Sequence, residues 1–160
     1  MSLPELLAAR LVGETVVVGV GNPLRGDDAA GCVVARTLRE STELAAIPGL
    51  RVVEAEEVPE SFLDLIIRPR PDTVILVDAV EMGEPPGSAA LLEVGELEDR
   101  EGSTHRPSLS LVAHYIRAET GADVFLLGIQ PGEREPGAPL SVEVREAATS
   151  LANVLEAATC

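Results

Sequence analysis

Three stretches of this chain, Thr15 to Val20, Val74 to Val77 and Val124 to Leu127, are apolar along their length instead of at alternate positions. A strand with one wet face alternates. A strand covered on both faces does not, and such strands belong to parallel sheets enclosed between helices. Arg51 to Ala55 and a weaker run, Ala89 to Val94, add two more candidate strands.

Segments of helical period lie between the strands. Ala29 to Leu38 carries an apolar stripe at Ala30, Val33, Val34 and Leu38, with Arg36, Arg39 and Glu40 elsewhere. A short helix is expected from Glu60 to Ile67, stopped by the prolines of "RPRP". A third begins near Ser108 with Leu109, Val112 and Ile116 inward, and the last runs from Ser141 to Ala158. Strand and helix therefore alternate. That order predicts an α/β fold of three layers, a twisted, mostly parallel five-stranded sheet with helices on both faces.

A length of 160 residues suits one domain, residues 1–160, able to bury roughly 70% of its unfolded surface. The Pro- and Gly-rich loops at Gly83 to Gly87 and Pro131 to Pro139 are too short to link domains.

With 12 basic and 27 acidic residues the formal charge is −15, which speaks against nucleic acid or an anionic membrane as partner and for a cation or a basic peptide. All the basic residues are arginine, so Walker-type phosphate binding and Schiff-base chemistry have no lysine to use. Only Phe62, Tyr115 and Phe125 are aromatic, too few for base stacking. Cys32 and Cys160 are too few for a disulfide framework or a thiolate zinc site. With no signal peptide or long apolar span, the expected compartment is the cytoplasm.

The stretch "VVVGVGNPLRGDDAAG" has the strand, glycine loop and helix of a dinucleotide-binding turn, but after Gly19 and Gly21 the third glycine of that fingerprint is missing. Asp27 and Asp28 would moreover stand where a pyrophosphate meets the helix end. Two like charges about 4 Å apart repel by roughly 4 kcal/mol at a surface dielectric, so an anion is disfavoured there. Capping the first helix accounts for Asp27. It leaves Asp28 to attract a cation.

Two further groups fall outside the carboxyl ends of strands, where open α/β sheets bind ligands. Asp78 closes "TVILVDAV" and His105 lies in "STHRPSLS". Taken singly, Asp78 reads as a turn-former and His105 as a solvated loop residue; with Asp28 they form an oxygen and nitrogen set suited to a divalent cation. His114, with Ser110 and Arg117, belongs to a polar helix face, and Cys32 reads as a packing residue.

These residues resemble the hydrogenase maturation endopeptidases, which trim a C-terminal extension from the large subunit of nickel-iron hydrogenases. "GVGNPLRGDDAAG" is similar to that family's opening G-x-G-N-x-L-x-x-D-D/E-x-x-G, "ILVDAVEMGEPPG" to its central strand and "STHRPSL" to its histidine loop. "FLLGIQP" is similar to a stretch of the branch serving formate-lyase-linked hydrogenases. The resemblance implies that Asp28, Asp78 and His105 are both metal ligands and catalytic groups. The nickel would come from the large-subunit precursor, and Zn, Cd or Ni would bind weakly at the same place. The family's D-G-G-S/T after the second strand is replaced here by Glu54, Ala55, Glu56 and Glu57. Asn22, Glu54 and Glu57 are assigned to substrate binding. The rival readings are a metal-binding maturation or regulatory module without catalysis, and a nucleotide-binding domain.

Overall fold

In a computed structural model, which describes residues 1–44, 47–98 and 106–159, five strands form one sheet. They are β1 (Thr15–Val20), β2 (Leu50–Glu56), β3 (Thr73–Ala79), β4 (Ala89–Glu93) and β5 (Asp123–Ile129), arranged in the order β2-β1-β3-β5-β4. All neighbours are parallel except β4, which runs antiparallel along β5. The expected mostly parallel sheet is thus present.

Among the described residues six helices accompany it: α1 (Leu3–Arg10), α2 (Ala30–Leu44), α3 (Leu63–Ile67), α4 (Val94–Glu98), α5 (Arg106–Thr120) and α6 (Val142–Thr159). Three differ from the sequence expectation, one being α4, a short helix that follows the strand expected over Ala89 to Val94 and was not anticipated. The segment expected to be one helix from Glu60 opens as a 3-10 turn, Pro59–Phe62, before α3. Helix α1 was not anticipated; its Ser2 hydroxyl accepts from the Glu5 N–H while the Glu5 carboxylate accepts from the Ser2 N–H, a capping box with Pro4 in the first turn.

Continuous apolarity has the cause expected of it, since successive side chains of the central strands enter different cores. Val17, Ile75, Val77, Phe125 and Leu127 pack with Leu7 of α1, Val34 and Leu38 of α2, and Leu151 and Leu155 of α6. On the other face Val16, Val18, Leu76, Val124 and Leu126 meet Ile66 of α3 and Leu109, Val112 and Ile116 of α5. Burying each such side chain contributes about 1.5–3 kcal/mol before chain entropy is counted. Ser110, expected on the polar face of α5, is buried, whereas His114 is exposed.

After β1 the chain passes through α2 to β2 on one side; β3 lies on the other side of β1 and leads away from it. The divergence leaves a crevice above the carboxyl ends of β1 and β3. Helix α2 sits very close to those ends. A Cβ on Gly31 would lie 2.1 Å from the carbonyl oxygen of Val77 and 2.3 Å from that of Val20. The close helix-to-strand approach that a dinucleotide fingerprint assigns to its third glycine is made here by Gly31.

Candidate functional site

β1 ends at Val20, and the chain turns through Gly21, whose φ of 142° is open to glycine and rarely to other residues. The following Asn22 makes a local turn, its Oδ1 accepting from the Leu24 N–H at 2.8 Å. Arg25 and Asp28 N–H groups then donate to the carbonyls of Asn22 and Arg25, leading into a 3-10 turn, Gly26–Ala29, that carries both aspartates.

The two aspartates point to different tasks. Asp28 Oδ2 accepts from the Asn22 N–H at 2.9 Å, folding back over the end of β1. Asp27, fully buried, does not cap the helix that follows it, contrary to the sequence expectation. Its Oδ1 accepts from the Ser141 N–H at 2.7 Å, and its Oδ2 accepts from the Ser141 hydroxyl at 2.9 Å and the Gly132 N–H at 2.8 Å. The Ser141 hydroxyl in turn accepts from Val144 N–H in the first turn of α6. Asp27 therefore stands at the positive end of a distant helix.

Asp78 is the penultimate residue of β3, fully buried, with Oδ1 accepting from the Ala79 N–H at 2.8 Å. Its place relative to Asp28 follows from Gly21. A Cβ on that glycine would lie 2.0 Å from the Asp28 carbonyl oxygen and 3.7 Å from Asp78 Oδ1, so both residues come within 4 Å of one point. The Asp28 carboxylate thus bonds the Asn22 amide, while Asp78 Oδ1 lies across the adjacent Gly21 from the main-chain carbonyl of Asp28. His105 lies outside the described residues. Among the described residues no three His, Cys, Asp or Glu side chains gather as a metal-binding group.

The loop after β3 is held by Gln130, a buried polar residue to which sequence reasoning assigned no role. Its Oε1 accepts from Met82 N–H at 2.6 Å, and its Nε2 donates to Glu81 Oε1 at 3.0 Å. The hint was a polar side chain directly after an apolar strand, in "FLLGIQP".

The residues assigned to substrate binding separate. Asn22 and Glu57 line an open groove of about 520 Å³ with Pro23, Leu24, Glu56 and Val58. Glu54 faces α2, where its carboxylate accepts from Arg36 at 2.7 Å and pairs with Arg39 at 2.9 Å. The change of direction occurs at Glu56, which has a φ of 53° where the pairing of β2 with β1 slips between Gly19 and Val20.

Cys32 is buried beside this site and donates from Sγ to the Gly21 carbonyl at 3.3 Å. Burial first, and then the charges of Glu54, Glu56 and Asp78, push its thiol up to about 12. A thiol held protonated in this way is a poor nucleophile. Packing, as expected, is its role.

A family model described as hydrogenase maturation protease, HycI, matches residues 32–158, most of the chain. The chain belongs to the hydrogenase maturation protease family. A Methanocaldococcus jannaschii protein named as a hydrogenase maturation protease is 31% identical over 159 residues, covering 96% of this chain and 94% of its own. The hydrogenase 3 maturation protease of Escherichia coli K12 is 28% identical, with 88% of each chain covered. The crystal structure of a NiFe hydrogenase maturation protease, HycI, from Thermococcus kodakarensis KOD1 superposes with a TM-score of 0.85 at 34% identity, covering 96% of this chain and 98% of that one. Membership of the maturation protease family makes the chain a peptidase, against the carrier and nucleotide-binding readings. Among the described residues no helix is long and apolar enough to cross a membrane.

Proposed function

We propose that this peptidase removes the C-terminal extension of a nickel-iron hydrogenase large-subunit precursor and recognises the nickel already bound in that precursor through Asp28, Asp78 and His105. The observation that carries the reading is that Asp28 Oδ2 accepts from the N–H of Asn22, a residue that lines the groove, while Asp78 Oδ1 lies 3.7 Å from where a Cβ on the adjacent Gly21 would stand. Two carboxylates attract a divalent cation, and an imidazole added to them makes three hard or borderline ligands with coordination positions left for the precursor's own.

The groove beside the carboxylates receives the extended chain around the cut. Asn22 and Glu57 line it and contact the substrate; Glu54, engaged by Arg36 and Arg39, acts by holding β2 to α2. Docking the nickel fixes the scissile amide in the crevice. Hydrolysis then follows either by attack of water on a carbonyl polarised by the metal or by a carboxylate drawing the proton from that water. The high thiol pKa of Cys32 supports a direct attack by water over a covalent acyl-enzyme. The setting in which a nickel-loaded precursor is met is the cytoplasm.

The deciding experiment is Asp78→Asn, which keeps the shape and removes the charge. Mass spectrometry of a nickel-loaded precursor should show no shortened product after incubation with the folded variant. Normal trimming by Asp78→Asn, or trimming of a nickel-free precursor as fast as of the loaded one, removes nickel recognition from the reading.

A further inference from the structure

We infer that Asp27 is a positioning residue for the proteolytic site: its buried carboxylate, fastened to Ser141 and Gly132, sets where the neighbouring Asp28 carboxylate stands. The inference rests on the reading of Asp28 as a nickel-gripping group.

A fully buried carboxylate is costly unless its lone pairs are met. Asp27 meets them with three donors, all from one stretch of chain, and its own N–H donates to the Glu133 carbonyl at 2.8 Å. Side chain and backbone are thus both tied to the segment between β5 and α6. The donors are neutral, and the charge is balanced by the N-terminus of α6, an 18-residue helix whose Ser141 lies at its cap.

Asp28 is one residue further along the same 3-10 turn, and its carboxylate is held on the other side by the Asn22 N–H. A 3-10 turn of four residues has little freedom to rotate one member without the next. Fixing Asp27 therefore fixes the direction in which Asp28 leaves the backbone. The adjacent carboxylates are divided between two tasks, one anchoring the turn from beneath and one facing the crevice.

The test uses the full chain and a nickel-loaded precursor, with rates expressed per folded molecule. Asp27→Asn keeps the size but turns one acceptor into a donor, so at least one of the three bonds is lost. The Asn22 amide, bonded to Asp28, is the local reporter. Its nuclear magnetic resonance signal should move, and its hydrogen exchange should quicken about tenfold. The KM for the precursor should rise between about tenfold and about a hundredfold, the scale expected for a displaced binding group, while kcat changes by less than about threefold. A merely loosened fold would lower the active fraction and leave KM in place. An unmoved Asn22 amide together with an unchanged KM overturns the inference. Should Asp27→Asn fail to fold, Ser141→Ala removes only the hydroxyl donor and carries the same two readouts; no movement there overturns it equally. Asp28→Asn keeps the two ideas distinct. If that variant trims the precursor normally, nickel gripping by Asp28 falls, and the Asn22 amide alone decides whether Asp27 positions its neighbour.

Discussion

Arg10 and Asp123 meet through two parallel hydrogen bonds, Nε to Oδ2 at 2.7 Å and Nη2 to Oδ1 at 2.8 Å, although 113 positions separate them. The same guanidinium bonds Glu93 and lies 4.3 Å from the centre of the Phe125 ring. One side chain of α1 thereby ties the amino end of β5 to the end of β4, at the edge of the sheet opposite the crevice.

Arg10→Ala should lower stability at neutral pH by about 1–2 kcal/mol, the sum expected of half-exposed ion pairs and a cation–π contact. In a chain of this size that is a fall in Tm of roughly 2–8 °C. Arg10→Lys keeps the charge but not the fork, and should recover only part of it. Bonding to Arg10 holds the Asp123 and Glu93 carboxyls below their usual range, and burial opposes it. Their contribution is present above the ordinary carboxylate value near 4 and is lost as pH falls through the depressed folded values. Denaturant titrations should show the gap between wild type and Arg10→Ala closing below about pH 4; a constant gap would exclude the carboxylates as its source.

Gly31→Ala should cost about 1–3 kcal/mol, because the new methyl meets two backbone carbonyls that cannot rotate away. Helix α2 must lift from β1 and β3, carrying the Asp28 turn with it, so trimming activity should fall along with Tm. A variant within about 0.5 kcal/mol of wild type would mean that the helix has slack at this contact.

Cys32 should be silent to thiol reagents in the native protein. With Cys160→Ser removing the other thiol, Ellman's reagent at pH 8 should register nothing until denaturant is added, and Cys32→Ser should trim the precursor as wild type does. Because the folded thiol value is raised from 9.0 to about 12, its contribution is intact below pH 9 and is lost as pH rises towards 12. Alkaline unfolding should accordingly be shallower in Cys32→Ala than in wild type. Rapid native labelling at pH 8 would contradict the burial.

If the nickel is supplied by the precursor, as proposed, protein purified without added metal should carry little. Added Zn, Cd or Ni should bind weakly and be lost on acidification, because the ligands must be deprotonated to hold it. Elemental analysis and calorimetry check both statements. A tightly held ion, one per chain and resistant to mild chelation, would make the enzyme a conventional metallopeptidase.

The layered sheet was legible because its central strands feed two cores, and β-branched runs without polar interruption have few other uses. Asp28 and Asp78 were singled out for a related reason: Asp78 ends one of those strands and Asp28 lies in the loop that follows another, at the strand ends where open α/β sheets gather ligands. Helix α1 escaped notice because only Leu7 of its eight residues is buried, giving no repeating stripe, although Ser2 and Glu5 stand at capping-box spacing. The task of Asp27 was hidden differently. A local cap explains such a residue from its neighbours alone, whereas its partner Ser141 is 114 positions away. Glu54, assigned to substrate binding by its place after the second strand, is likewise engaged by Arg36 and Arg39 of α2, residues 15 to 18 positions before it.

Connections between secondary-structure elements ordinarily absorb insertions and deletions with little effect. The segment from Gln130 to Ser141 has little room for them. Gln130 grips the loop after Asp78, Gly132 and Ser141 grip Asp27, and the Gly137 N–H donates to the Leu24 carbonyl at 2.8 Å. Adding or removing a residue would break step with one of these anchor points. In length as well as in composition, this surface segment is constrained as tightly as a strand of the core.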